Sequence, residues 1–131
     1  MMTTADALRW CRWLAALSLV LIVSLAVEGR ARAQDAAAAS PKVVHVKLEN
    51  AHVRVLEAVS NPGDKEAMHS HPANIVYVVA GGTLRMSTPD GKSNVVELKT
   101  GDTLYRDPVT HAAENIGTTQ VHMIIVELKT P

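Results

Sequence analysis

Short strand-like stretches separated by turn residues run through the chain from Lys42 onward, and no helical period is sustained there for three turns. Apolar residues either alternate with polar ones or fill both faces, as they do from Ile75 to Val79. Clusters of Pro, Gly, Asn and Asp, such as those at 61–64 and 89–92, separate the stretches. The pattern predicts about eight to ten strands and therefore an all-β sandwich or barrel.

A basic and then apolar segment precedes this region. Arg9 and Arg12 lead into residues 13–27, which are apolar apart from two serines, and the small residues of Ala31-Arg32-Ala33 follow. This order is typical of a secretory signal peptide, with cleavage after Ala33. The alternative is an uncleaved anchor, but the apolar run is shorter than the roughly 20 residues that a spanning helix needs. We therefore expect residues 1–33 to form a signal-peptide helix, and the mature protein to be periplasmic or secreted without a stable membrane anchor.

Cleavage changes the composition in a way that excludes several classes of protein. The 98 residues that remain of the 131 contain no cysteine, because the only one is Cys11. Disulfide scaffolds, cysteine nucleophiles and thiolate metal sites are thereby excluded. The mature part has 9 basic and 11 acidic residues in no long run of either sign, which gives no reason to expect nucleic acid as a partner.

The mature chain is long enough for one small domain. Its first residues, 34–42, contain four consecutive alanines followed by Ser40-Pro41, and we expect them to form a flexible linker. Residues 43–131 are predicted to form the β-barrel domain.

Two histidines separated by one residue, His69 and His71, are followed forty residues later by His111. Because alternate residues of a strand face the same side, the first two imidazoles can point at one centre, and a third strand can supply the last. The spacing predicts a metal site of three histidines. The other three histidines are expected to lie on the surface or on strand faces.

The residues around the first pair resemble one of the two motifs of the cupin superfamily. Gly63, His69, His71 and Gly82 match that motif in step, and Ile75 stands where the motif has a glutamate.

The residues around His111 resemble the second cupin motif. Gly101, Pro108, His111 and Asn115 match in order, with Val109-Thr110 in place of the usual glycine. The resemblance covers roughly residues 43–128 and indicates a small, single-domain, exported cupin.

The resemblance implies a double-stranded β-helix, or jelly roll, whose open end holds a divalent metal ion. His69, His71 and His111 become the ligands, and Fe, Mn, Ni, Cu and Zn are not distinguished. Because Ile75 cannot coordinate an ion, the acidic ligand is missing, which favours open positions for water, substrate or oxygen.

Neighbouring side chains offer little to complete this site. Regular strand alternation sends Glu66 and Glu114 to the opposite face. Tyr77 shares the parity of Ile75, so both are expected to line the cavity, and Asn115 is expected to be a structural or supporting hydrogen bonder.

Two functions follow from this reading, and the sequence does not decide whether the protein is an enzyme. The first is a metal-dependent dioxygenase of the quercetin or thiol type acting on a small molecule, and the second is a non-catalytic cupin that binds a metal or small ligand. No catalytic residue is identified, and Arg106 either holds an anionic substrate or is merely solvated. A homodimer is expected because the run from Met123 to Val126 is apolar on both faces.

Overall fold

The computed structural model describes residues 34–130, which form nine β-strands and one short helix. The predicted signal peptide, residues 1–33, lies outside the described residues. The elements are α1 (Ala36–Ala39), β1 (Val44–Glu49), β2 (Val53–Ser60), β3 (Lys65–His71), β4 (Asn74–Ala80), β5 (Gly82–Ser87), β6 (Ser93–Leu98), β7 (Thr103–Arg106), β8 (Val109–Asn115) and β9 (Val121–Leu128). Within this part of the chain, no helix is long and apolar enough to cross a membrane.

The strands form two antiparallel sheets, as the all-β prediction required. Five strands pair in the order β1-β2-β9-β4-β7, and four pair in the order β3-β8-β5-β6. The last strand, β9, is therefore central in the larger sheet, between β2 and β4.

The core lies between the sheets and follows from strand alternation. One inward row of the larger sheet runs through Leu56, Ile125 and Val76, and all three side chains are buried. Leu84 and Leu98 face this row from the smaller sheet. Burial of each such side chain stabilises the fold by about 1.5 to 3 kcal/mol.

One inward step beyond this apolar row, the larger sheet carries a row of polar residues. Arg54, Glu127, Asn74 and Arg106 lie opposite one another on β2, β9, β4 and β7. Glu127 and Asn74 are buried, and the two arginines are partly buried. This polar row closes the core at one end and makes that end the chemically distinct part of the barrel.

The N-terminal segment is packed, and the expectation of a flexible linker over residues 34–42 is wrong in this respect. Asp35 accepts a hydrogen bond from the amide of Ala38 at 3.1 Å and so caps α1, and alanine favours helix strongly. The small side chains let the turn lie close to β3, where Ala36 and Ser40 are buried. The amide of Ala67 donates to Ser40 Oγ at 2.9 Å.

Candidate metal centre

Three histidine side chains converge at the polar end of the barrel, as the sequence predicts. His69 and His71 lie on β3 and His111 on β8, and the Cα atoms of His69 and His111 are direct register partners. Nε2 of His69 lies 2.9 Å from Nε2 of His71 and 3.2 Å from Nε2 of His111. All three residues are buried, and their possible ligand atoms lie within 4.8 Å of one another.

Hydrogen bonds at the opposite ring nitrogens fix which nitrogen is free. Nδ1 of His69 donates to the carbonyl oxygen of Ala67 at 2.7 Å, and Nδ1 of His71 donates to Oε1 of Glu127 at 2.6 Å. With the protons held at Nδ1, both Nε2 atoms present lone pairs to the same point. Two neutral imidazoles in this orientation repel each other unless a cation lies between them.

The separations of His69 Nε2 from the other two Nε2 atoms fit a first-row divalent ion. Metal–nitrogen bonds of about 2.0 to 2.1 Å at angles between octahedral and tetrahedral place neighbouring ligand nitrogens about 2.9 to 3.4 Å apart. The separations of 2.9 Å between His69 and His71 and of 3.2 Å between His69 and His111 lie in this range. Imidazole nitrogen is a ligand for Zn, Cu, Fe and Ni, so the donor set fits such an ion without selecting one.

The electrostatics of the site disfavour protonation of two of the ligands, His69 and His111. Burial lowers the pKa of His69, and burial together with the neighbouring His69, His71 and Arg106 lowers the pKa of His111 to about 3. Neutral imidazole is the form that binds metals, so protons compete little for His111 near pH 7.

A chain of charged groups supports His71 from behind. Glu127, which accepts the hydrogen bond from His71, also lies 3.6 Å from the guanidinium of Arg54. Arg54 in turn binds Asp35. Arg54 holds the pKa of Asp35 below its usual range. Sequence reasoning missed this chain, although Glu127 shares its parity with the buried Ile125 and could have been identified as an inward carboxylate.

Glu66 also reaches the site, which corrects the prediction that it faces away. The pairing of β3 with β8 shifts between Glu66 and His69, because Glu66 lies opposite Ala113 while His69 lies opposite His111. Three steps on β3 thus match two on β8, and this β-bulge turns both side chains inward. Glu66 is only 7% exposed, and its Oε2 lies 3.8 Å from Nε2 of His69. Burial raises the pKa of the Glu66 carboxyl.

The structure does not place Ile75 and Tyr77 in the cavity. They are 38% and 48% exposed and lie on the outer face of β4, whose inward residues are Asn74, Val76 and Val78. Ile75, which occupies the glutamate position of the motif, therefore faces outward, while its neighbours Asn74 and Val76 face inward.

Asn115 has a structural position. Its amide nitrogen donates to the carbonyl oxygens of Ser60 and Thr119, and its side-chain oxygen accepts from the amide of Gly117. These bonds use its polar atoms to tie loops together, so Asn115 supports the fold and not the metal.

The histidines open onto a cavity between the sheets. His71 and His111 line it together with Glu66 and Arg106, and apolar side chains such as Val76 form most of the remaining wall. A metal site beside an apolar cavity with a few polar groups is suited to a small organic ligand.

Comparisons with known proteins agree with this architecture. A cupin domain from Bordetella pertussis Tohama I is 28% identical, with a TM-score of 0.62 over 67% of this chain and 93% of that one. A conserved double-stranded β-helix protein from Klebsiella pneumoniae is 27% identical, with a TM-score of 0.54 over 66% of this chain and 75% of that one. An RmlC-like cupin from Methanocaldococcus jannaschii, 18% identical, shares the fold with a TM-score of 0.53 over 69% and 82% of the two chains.

No curated protein matches the sequence. The family model of the cupin domain, Cupin_2, matches residues 56–127, which include every strand from β3 to β8 and all three converging histidines. The chain therefore belongs to the cupin domain family and folds as a double-stranded β-helix.

Proposed function

We propose that this cupin domain binds a divalent metal ion through His69, His71 and His111 and presents it to a small molecule in the adjoining cavity. The observation that carries the proposal is the convergence of the Nε2 atoms while Nδ1 of His69 and His71 donate outward. The reaction we favour is a dioxygenation of the quercetin- or thiol-dioxygenase type. A bound Fe(II) or similar ion would supply Lewis acidity and a position for oxygen.

Glu66 is the residue that we propose as the acidic partner of the ion. Its carboxyl group is buried and lies near Nε2 of His69, the nitrogen that the other two histidines also approach. Glu66 precedes His69 in the chain, whereas the glutamate of the family motif follows the histidine pair. A carboxylate here would offset part of the charge of the ion, and a protonated Glu66 would offer a proton donor at the cavity wall.

A non-catalytic cupin that binds a metal or a small ligand is the alternative. It is favoured by the cavity wall, where Glu66 is the only carboxyl group among the lining residues that the structure describes. An enzyme that needs both an acid and a base would have to use this one group for both.

Metal analysis and oxygen uptake test the proposal. Purified protein should contain about one transition-metal ion per chain by mass spectrometry, and His69→Ala and His111→Ala should lose it. His122→Ala is the matched control, since His122 pairs with Glu57 outside the site. Metal content that is unchanged in both site variants would refute the metal centre, and oxygen uptake with thiols, flavonols or diketones would separate the enzyme from the binder.

We propose further that residues 1–33 act as an export signal and that the mature protein is periplasmic or secreted. The arginines, the apolar run and Ala31-Arg32-Ala33 support this assignment. N-terminal sequencing of the protein recovered outside the cytoplasm should begin at Gln34.

A further inference from the structure

Arg106 differs from the other members of the polar row that closes the barrel. Arg54 pairs with Asp35 and Glu127, Glu127 also binds His71, and the side chain of Asn74 donates to the carbonyl oxygen of Pro72. Arg106 forms no ion pair with any residue from 34 to 130, and burial alone shifts its pKa, which it lowers. The row thus contains one cation without a counter-ion in the described part of the chain.

The position of Arg106 makes this lack of a partner informative. Its side chain lines the same cavity as His71 and His111, and it lies close enough to His111 to disfavour protonation of that ring. A guanidinium stays charged at any physiological pH, and its partial burial without a counter-ion carries a desolvation cost. Glu66 lines the cavity from the other sheet but makes no ion pair with Arg106.

The charge of the loaded site points to the same conclusion. Three neutral imidazoles leave the charge of a divalent ion uncompensated, and Arg106 adds one more positive charge. An ionised Glu66 would remove only one of these three charges. A cavity with low-dielectric walls and a net positive charge concentrates anions.

We propose that Arg106 binds the carboxylate of a small acid whose second donor, a thiol, hydroxyl or keto oxygen, binds the metal ion. The planar guanidinium matches a carboxylate in a bidentate manner, while the apolar wall accommodates a short carbon skeleton. This inference rests on the proposed metal centre and narrows its ligands from neutral chelators such as flavonols and diketones to hydroxy, keto or mercapto acids.

The test compares two thiols of similar size, one that carries a carboxylate and one that carries a neutral hydroxyl group. The cobalt-loaded protein is titrated with mercaptoacetate and with the neutral 2-mercaptoethanol, followed by the thiolate-to-cobalt absorption, and cobalt retention is measured after each titration. We expect mercaptoacetate to bind about tenfold more tightly than 2-mercaptoethanol, because its carboxylate would form charged hydrogen bonds with the guanidinium. Arg106→Met should abolish this preference without weakening 2-mercaptoethanol, and Arg106→Lys should restore part of it.

Arg85→Gln is the matched control, because Arg85 binds Glu114 on the outer side of the smaller sheet. This variant should keep the preference for the acid. Equal affinities for the two probes in the wild type, or a preference that survives Arg106→Met, would overturn the proposal for Arg106. If the protein still binds cobalt in that case, the proposed metal centre is not refuted. Failure to bind cobalt would instead refute the metal centre. In a competition experiment, acetate and inorganic phosphate are each used to displace mercaptoacetate. If phosphate displaces it as effectively as acetate, the site binds anions in general, and the assignment to carboxylates is overturned.

Discussion

At the scale of single residues, Glu127 decides how His71 can act. The carboxylate accepts a hydrogen bond from Nδ1 of His71, with 2.6 Å between Nδ1 and Oε1, which fixes the tautomer and turns Nε2 toward the centre. Glu127→Gln keeps the shape but removes the charge, so we expect metal affinity to fall by about 10- to 100-fold. Competition with a chelator of known affinity measures the change.

The exposed Glu97 provides the control for this substitution, because Glu97→Gln removes the same charge far from the polar row. Affinities that are equal in Glu127→Gln and the wild type would show that the hydrogen bond does not tune the ligand.

Glu66 should affect metal binding and stability in opposite directions. Because burial raises its pKa, an ionised Glu66 costs stability in the metal-free protein, and Glu66→Gln should leave the denaturation midpoint of that form unchanged or higher. The same change should lower metal affinity by about tenfold if the carboxylate joins the ion. Glu114→Gln, on the outer side of β8, should not affect metal affinity.

A loss of stability in Glu66→Gln with unchanged metal affinity would contradict this assignment. Glu66 would then be a structural residue of the barrel and not a partner of the ion.

At the scale of elements, the bulge in β3 depends on the helical turn before it. The amide of Ala67, within the bulge, donates to the buried Ser40 Oγ, and the carbonyl oxygen of the same residue accepts from His69. Ser40→Ala leaves the Ala67 amide without this acceptor, so we expect a loss of about 1 to 3 kcal/mol in the free energy of unfolding. Urea denaturation measures it.

The exposed Ser93 supplies the matched control, since Ser93→Ala removes a hydroxyl group from the surface. Metal affinity should fall in Ser40→Ala as well, because the bulge sets the directions of Glu66 and His69. An unfolding free energy equal to that of the control would show that the turn does not support the bulge.

Strand alternation explains how far the sequence could predict these elements. It identified the strands and the common face of His69 and His71, because a regular strand repeats every two residues. It failed at Glu66, where one extra residue reverses the parity, and nothing in the types of residue marks that position. It also failed at Ile75 and Tyr77, because the family motif was assumed to coincide with the inner face of β4.

Long-range partners were harder to predict for a related reason. Glu127 is 56 residues from His71, and only the insertion of β9 between β2 and β4 brings the two together. The packing of residues 34–42 was missed because alanine-rich segments can be disordered or helical, and the buried acceptor for Ala67 is visible only in three dimensions.

At the scale of the whole molecule, the outer face of the larger sheet carries a continuous apolar row. Leu48, Val55, Val126, Ile75 and Tyr105 lie opposite one another across all five strands, and Tyr105 is 64% exposed. We propose that a second copy of the chain covers this row, because the same row on both copies suits a twofold interface. Light scattering should give the mass of a dimer.

Charges introduced into this row should separate the copies without affecting the metal. Ile75→Asp and Tyr105→Asp should yield monomers that keep their metal, whereas Val95→Asp, on the exposed surface of β6, should remain dimeric. A wild-type mass equal to that of one chain would contradict the proposed dimer.

The central place of β9 in the larger sheet has a consequence for how the protein matures. β9 follows the other eight described strands along the chain, yet β2 and β4 are joined only through it, and it carries the carboxylate that orients His71. A nascent chain that contains all three histidines but not yet β9 therefore lacks the carboxylate that orients His71. Metal should therefore be acquired only after β9 has been synthesised and has paired with β2 and β4, so that metal binding follows the folding of the larger sheet and does not initiate it.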